Sequence, residues 1–315
     1  MAFSLRHCAL QFLPVGVCLI APAFAAAQPA DTVPRTPWGH PDLQGVWDYR
    51  TTTPLDLPEN HATTVALTDE AAAAFVQQQH DAAAQRREQS LNADWIDRLE
   101  VGLADGRTAL TVDPPNGRRP PLTPEAETQR SAWRARSSAA RSYEDRGPTE
   151  RCIVRQVAPI WINGYNNNLL LLQTPDTVVL FHEMIHDAVI IPLDARPPID
   201  QRIRQWLGRA RGHWEGDTLV VETTHRHAQW SFPRFHAPTP NSHVIERFTR
   251  VDEETLRYEY TVTDPETFTA PWSVEFPMQR TDHPLYEYAC HEGIRSMPLI
   301  LTGARAVEVD GGTPR

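Results

Sequence analysis

The sequence predicts a mainly β protein: an antiparallel, barrel-like (lipocalin-like) sheet with an α-helical N-terminal extension. Three stretches carry that prediction. Thr255 to Thr263 alternates, with Leu256, Tyr258, Tyr260 and Val262 on one face and Thr255, Arg257, Glu259 and Thr261 on the other, the period of a half-buried strand. Trp272 to Met278 alternates too, with Trp272, Val274, Phe276 and Met278 together. GHWEGDTLVVETT, Gly212 to Thr224, reads as a hairpin turning at Glu215-Gly216. Successive antiparallel strands at such spacing fit a barrel or a sandwich.

The first residues have the pattern of an export signal. Arg6 and His7 precede an apolar run from Cys8 to Leu19, and Ala23-Phe24-Ala25 or Ala25-Ala26-Ala27 offers a cleavage site. The run is too short to span a bilayer. The expected division is a signal peptide over 1–27, an extended arm and helical extension over 28–150, and the β domain over 151–315. Periplasmic or secreted localisation and no stable membrane insertion follow from that reading.

In the arm, Pro34, Pro37 and Pro41 favour turns, and LQGVWDYR then becomes strand-like. Gly45-Val46-Trp47 is similar to the GxW signature on the first strand of lipocalin-like barrels; a Trp packed on a core reads the same way. Thr68 to Ser90 is Ala-rich, with Thr68 as cap and Asp69 and Glu70 at the positive end, and predicts a surface helix. Pro114 to Gly117 predicts a turn. Thr123-Pro124-Glu125 starts a second helix that runs to about Ala140. Beyond Arg151 come short apolar strands at Leu169–Gln173, Thr177–His182 and Asp187–Leu193, then Val244 to Val251 and a turn at Asp252 to Glu254.

Composition narrows function. The net charge is -10 and no basic tract occurs, which argues against nucleic acid. Lys is absent, so neither a Schiff base nor a P-loop lysine exists. GxSxG, GxGxxG and CxxC are absent too, and no cofactor is implied. Cys152 and Cys290 would survive signal removal and either form a bridge or stay as buried thiols.

Thr174 to Asp194 sets one Glu, two His and two Asp into an apolar run. Polar groups in such a run are either a satisfied network or a site. His182-Glu183-Met184-Ile185-His186 fits H-E-x-x-H, which needs a helix to bring both His to one zinc. The β-branched flanks and Pro192 predict strand, turn, strand instead. On extended backbone the two His would lie about 13 Å apart, at about 3.3 Å per residue. A metal held by His182 and His186 with Glu183 or Glu292 stands as the alternative reading.

As a strand-turn-strand unit, His186 is the candidate base, with Asp187 or Glu183 fixing its tautomer. Cys290-His291-Glu292-Gly293 is the second cluster, with His291 as candidate acid and Glu292 beside it. Structural ion pairs at a sheet corner read from the same residues. Tyr165, Asn167, Asp194, Arg211 and Trp230 are candidate substrate contacts: Arg211 offers a bidentate carboxylate clamp, and Trp230 lies in a Pro-rich stretch, Thr224 to Ser242, long enough to be a lid.

The strings PDLQGVW, RCIV, YNNN, QTPDTVV, EMIHDAVIIPLD, RGHWEGDTLVVETT, ERFTRVDEETLRYEYTV and EYACHEG together resemble a large family of secreted bacterial proteins, abundant in acidobacteria and sphingomonads. The likeness spans about Pro41 to Arg305. It implies a fold and export, and no activity. Glu183, His186, Asp187, Asp194, Cys290, His291 and Glu292 match that family's pattern, in which His182 is less regular. Val189, Ala195 and Ile294 depart from it, standing where Arg, Gly and Asn are usual.

These features point to an enzyme of lyase, isomerase or hydrolase type, running acid–base chemistry on a small, partly apolar molecule. The alternative is a small-molecule binding protein without chemistry.

Overall fold

Alternating residues become strands, and the strands assemble into one sheet. The computed structural model describes residues 33–59, 68–88, 103, 106–155, 158–194, 199–200, 202–230 and 239–309. They fall in the compact unit Val33–Arg315. The expected signal peptide, Arg196, and residues 231–238 of the expected lid, Phe232 and Phe235 among them, lie outside the described residues.

In chain order the elements are β1 (Gly45–Asp48), α1 (Asp69–Glu88), β2 (Thr111–Asp113), α2 (Pro124–Ala139), β3 (Asn168–Gln173), β4 (Thr177–His182), β5 (Ala188–Pro192), β6 (Arg209–Glu215), β7 (Thr218–Thr224), β8 (His243–Arg250), β9 (Thr255–Thr263), β10 (Trp272–Thr281) and α3 (Ser296–Val309). The sheet runs β5-β4-β3-β1-β10-β9-β8-β7-β6, with β2 paired to β10. Every neighbouring pair is antiparallel. β1, from the expected arm, sits mid-sheet between β3 and β10, so the sheet crosses the division expected at residue 150.

The expected barrel-like (lipocalin-like) sheet is met in part: the sheet is antiparallel throughout, and it does not close. Nine antiparallel strands in a row leave β5 and β6 running the same way. A tight hairpin cannot join parallel strands, and no ladder forms between them. Their side chains do meet: a Cβ added at Gly212 would come within 2.8 Å of Ile191 Cγ2 and Leu193 Cδ2. The β6–β7 hairpin pairs Glu215 with Thr218, so its turn is Gly216-Asp217, one position later than expected. Gly216 takes φ +60°, where glycine carries no Cβ penalty.

The inward face of the sheet is filled. Trp47, Leu169, Leu171, Phe248, Tyr258, Trp272 and Phe276 are buried in one cluster. Each contributes roughly 1.5–3 kcal/mol by leaving water. Trp47 donates its Nε1 to Leu43 O at 2.9 Å, and the Arg250 guanidinium lies 5.1 Å from the Trp47 ring centre.

Both expected helices form. Thr123 caps α2 by accepting from Ala126 N at 3.1 Å. Its C-terminal carbonyls are met from α3: Arg305 donates to Ala139 O and Ala140 O, groups that a helix end otherwise leaves open. The alternation argument did not foresee α3. Among the described residues no helix is long and apolar enough to cross a membrane.

Register places the loops. Leu169 pairs with His182 and Asp48 with Asn168, so the β4–β5 turn, the segment entering β3 and the chain leaving β1 share one end of the sheet. Gly208, just before β6, is at that end. Its φ is +74°, and an added Cβ would lie 2.7 Å from Thr224 O and 2.9 Å from Arg226 Cγ. Left-handed backbone costs an alanine about 1–2 kcal/mol, and the carbonyl it would strike cannot rotate away. Gly208→Ala should therefore lose about 2–3 kcal/mol of stability; an unchanged urea midpoint would show that the start of β6 gives way beside the end of β7.

Candidate functional site

The turn between β4 and β5 is strand, short 3-10 turn, strand, as the β-branched flanks predict. Ile185 (φ +64°) and His186 (φ +63°) both occupy left-handed backbone. For the β-branched Ile185 this is an outlier, costing roughly 1–3 kcal/mol and held by its surroundings. The conformation sorts the side chains. His182 and Glu183 are buried, Asp187 is half-buried and His186 is exposed. The His186 ring stands edge-on against Phe181, with centroids 4.6 Å apart.

Glu183 is pinned. Its Oε2 accepts from Asn168 Nδ2 at 2.7 Å, and its Oε1 accepts from Tyr286 N at 3.4 Å. The second contact brings the segment before Cys290 onto the turn. The Cys152–Cys290 bridge forms, with Cα atoms 5.7 Å apart, and anchors that segment. Tyr288 lies beside Tyr165 with rings parallel and centroids 6.5 Å apart. Burial, then its hydrogen bond to Tyr165, pushes the Tyr288 hydroxyl up to about 12. Arg155 lies 6.0 Å from the Tyr165 ring centre.

Two groups here are out of the ordinary. Burial pushes the Asp187 carboxyl up to about 6, against a backbone hydrogen bond from Arg155. Its Oδ2 is buried and has no partner among the described residues. Burial also drives the His182 imidazole down to about 3, so the ring stays neutral, and its Nε2 has no partner among them either. A polar atom left so costs about 1–3 kcal/mol, and each such atom calls for an explanation.

His291 and Glu292 are exposed in the turn after Cys290. His291 and His186 are both exposed, and among the described residues no hydrogen bond or ring contact joins them. Tyr165 joins the cluster. Asn167 is fully buried and closes its own turn, accepting from Asn163 N at 2.7 Å and donating to Asn163 O at 2.9 Å. Asp194 and Arg211 sit at the far end of β5, where Arg211 Nη2 donates to Asp194 O at 3.1 Å. Trp230 ends a short 3-10 turn, and its side chain lies outside the described residues.

The H-E-x-x-H metal reading meets an obstacle of geometry. The segment is not a helix, and one of its His is buried while the other is exposed. Among the described residues no three His, Cys, Asp or Glu side chains converge as a metal group would.

Sequence reasoning missed Arg155 and Tyr288. It also missed a buried ionic set at the same end. Arg226 is 0% exposed, and donates to Ser242 Oγ and Ala158 O, each at 2.9 Å. Glu246 accepts from Tyr258 Oη at 2.6 Å, and burial pushes its carboxyl up to about 7. Glu246 falls at an inward position of the β8 alternation, which was the available signal.

Fold and cluster together define the class: an antiparallel β-sheet protein with a carboxylate–histidine–tyrosine cluster at one end. Scans against protein-family models, curated proteins and solved structures each return no match.

Proposed function

We propose that the chain is an exported enzyme running acid–base chemistry on a small, partly apolar molecule, with Asp187 as the proton-handling group. The observation that carries this is the half-buried Asp187 carboxyl, raised to about 6, with a buried and unpartnered Oδ2. A carboxyl titrating near the working pH can both take and return a proton. Glu183, pinned by Asn168 and Tyr286, fixes the turn, and His186 stands exposed next to Asp187 in the chain. The Tyr165–Tyr288 pair supplies an O–H donor. Export is supported by the disulfide, which persists in oxidising compartments, and by the likeness to secreted bacterial proteins.

Asp187→Asn tests the reading. A raised carboxyl favours its protonated form in the fold, so its stabilising contribution is full below about pH 4 and is lost as pH rises through about 6. Asn cannot ionise, so the variant should be more stable than wild type above pH 6, by on the order of 1 kcal/mol after allowance for its exposed part. In a screen of small esters, lactones and enolisable ketones, the variant should lose about a hundredfold or more of the turnover that wild type shows. Equal turnover in the two proteins would end the reading.

A second reading rests on a cavity of about 300 Å³ at the same end, lined by Thr51, Thr53, Trp161, Tyr260 and Phe276 among others. It fits a small ligand held without chemistry. The approach of β5 to β6 at Gly212 supports a barrel-like curl for such a binder. Saturable ligand binding with no turnover under any condition would favour it.

A further inference from the structure

We infer that the outer groove between β5 and β6 is a binding site for an apolar chain ending in a carboxylate. The groove has a volume of about 340 Å³ and is lined by Ala188, Ile190, Ile199, Leu207, Arg209 and Arg211 among others. It exists because the two end strands run parallel without a ladder, which leaves a slot where the sheet would otherwise close.

One wall is apolar and exposed. Ile190 is 65% exposed, and Ile199 39%. The other wall is cationic. Arg209 and Arg211 are two residues apart on β6, so both leave the same face, about 7 Å apart along the strand. Each makes a backbone contact with the segment before β6: Arg209 Nη1 with Ile199 O at 3.3 Å, and Arg211 Nη2 with Asp194 O at 3.1 Å. Neither pairs with a carboxylate among the described residues. Glu222, opposite Arg211 in register, lies instead against His243 at 2.6 Å, and Asp200 binds Arg202.

Arg209 places a positive field at this wall. Behind burial, Arg209 and Arg204 hold the His225 imidazole below its ordinary range. In a chain of net charge -10, a cationic wall facing an apolar one is selective. Two guanidinium forks match a carboxylate, and the Ile wall matches its hydrocarbon tail.

Decanoate is the probe, with binding followed by titration calorimetry. Saturable binding is expected, weakened about tenfold or more by Arg209→Gln, by Arg211→Gln and by Ile190→Asp, since a lost charge-assisted bond or apolar contact is worth at least that much. All three side chains reach solvent, so circular dichroism should show the fold intact. Decanol, with the tail but no charge, should bind about tenfold more weakly than decanoate. No saturable decanoate binding, equal affinity for decanol, or unchanged affinity in all three variants would overturn the inference. It does not rest on proton transfer at Asp187. Asp187→Asn should bind decanoate as wild type does; a tenfold loss there would place the ligand at the turn and overturn the groove.

Discussion

Arg226→Leu should destabilise the protein by about 3–5 kcal/mol, the usual result of removing one member of a buried charge set. Arg226 is fully buried in the fields of Glu246 and Asp264. Burial, its largest influence, already draws the guanidinium down to about 10. Asp264 is satisfied locally, accepting from Thr239 N and Thr239 Oγ1 at 2.5 and 2.9 Å. Glu246 has the Tyr258 hydroxyl, and depends on Arg226 for its countercharge. Without that charge the Glu246 carboxyl should rise above about 7.

The pH dependence follows from the sign. A carboxyl raised in the fold lends stability that is full below its unfolded value and is lost as pH rises through the folded one. The deficit of Arg226→Leu should therefore be largest above pH 7 and smaller towards pH 5. Adding Glu246→Leu should recover much of the loss, because a buried pair exchanged for apolar groups of similar volume is often neutral. Urea unfolding of the four proteins, at pH 5 and pH 8, closes the cycle. A single Arg226→Leu variant as stable as wild type at pH 8 would mean that Glu246 is solvated and the ionic set is not one.

This set marks the boundary of what local pattern carries. β9 was legible to the residue, because period-2 alternation with apolar residues on one face has one reading. The β8 segment HVIERFTR alternates too, yet its inward row includes Glu246 and Arg250. A charge placed inward is indistinguishable from one placed outward until its partners, far away in the chain, are known. Arg226 lies 20 residues before Glu246, in a stretch of His and Arg that reads as surface. The same limit hid the central place of β1, whose partners β3 and β10 lie more than 100 residues on. α3 was lost for another reason: Pro298 and Gly303 both count against a helix interior, but Pro298 lies in the first turn, where its missing N–H costs nothing.

At the candidate site, type was legible and geometry was not. The β-branched flanks gave the turn, and its carboxylates gave the chemistry. The left-handed pair Ile185-His186 reverses the exposure that simple alternation suggests, bringing Asp187 half inside and leaving His186 out. His is one of the types that tolerates such backbone, but the β-branched Ile185 gives no sign of it. The meeting of the turn with the C-terminal segment was legible only through the two cysteines.

That bridge carries the second large effect. Cys152 and Cys290 are separated by 138 residues, and closing a loop of that length removes about 4–5 kcal/mol of chain entropy from the unfolded state in the loop-closure account. Replacing both with Ser should lower the folding free energy by about that amount. The loss should also be felt at the site. With Cys290 released, the segment that sets Tyr286 N against Glu183 and Tyr288 against Tyr165 is held by those contacts alone. Hydrogen exchange at Tyr286 should then quicken well beyond the rise set by global stability, and turnover should fall with it even at temperatures where the sheet stays folded. Reducing the wild type with dithiothreitol should reproduce both effects, and reoxidation should reverse them. If the doubly substituted protein kept its urea midpoint, the entropic account would be wrong for this chain. If its stability fell while Tyr286 stayed protected, the cluster would be assembled by the sheet itself, and the bridge would have no part in positioning it.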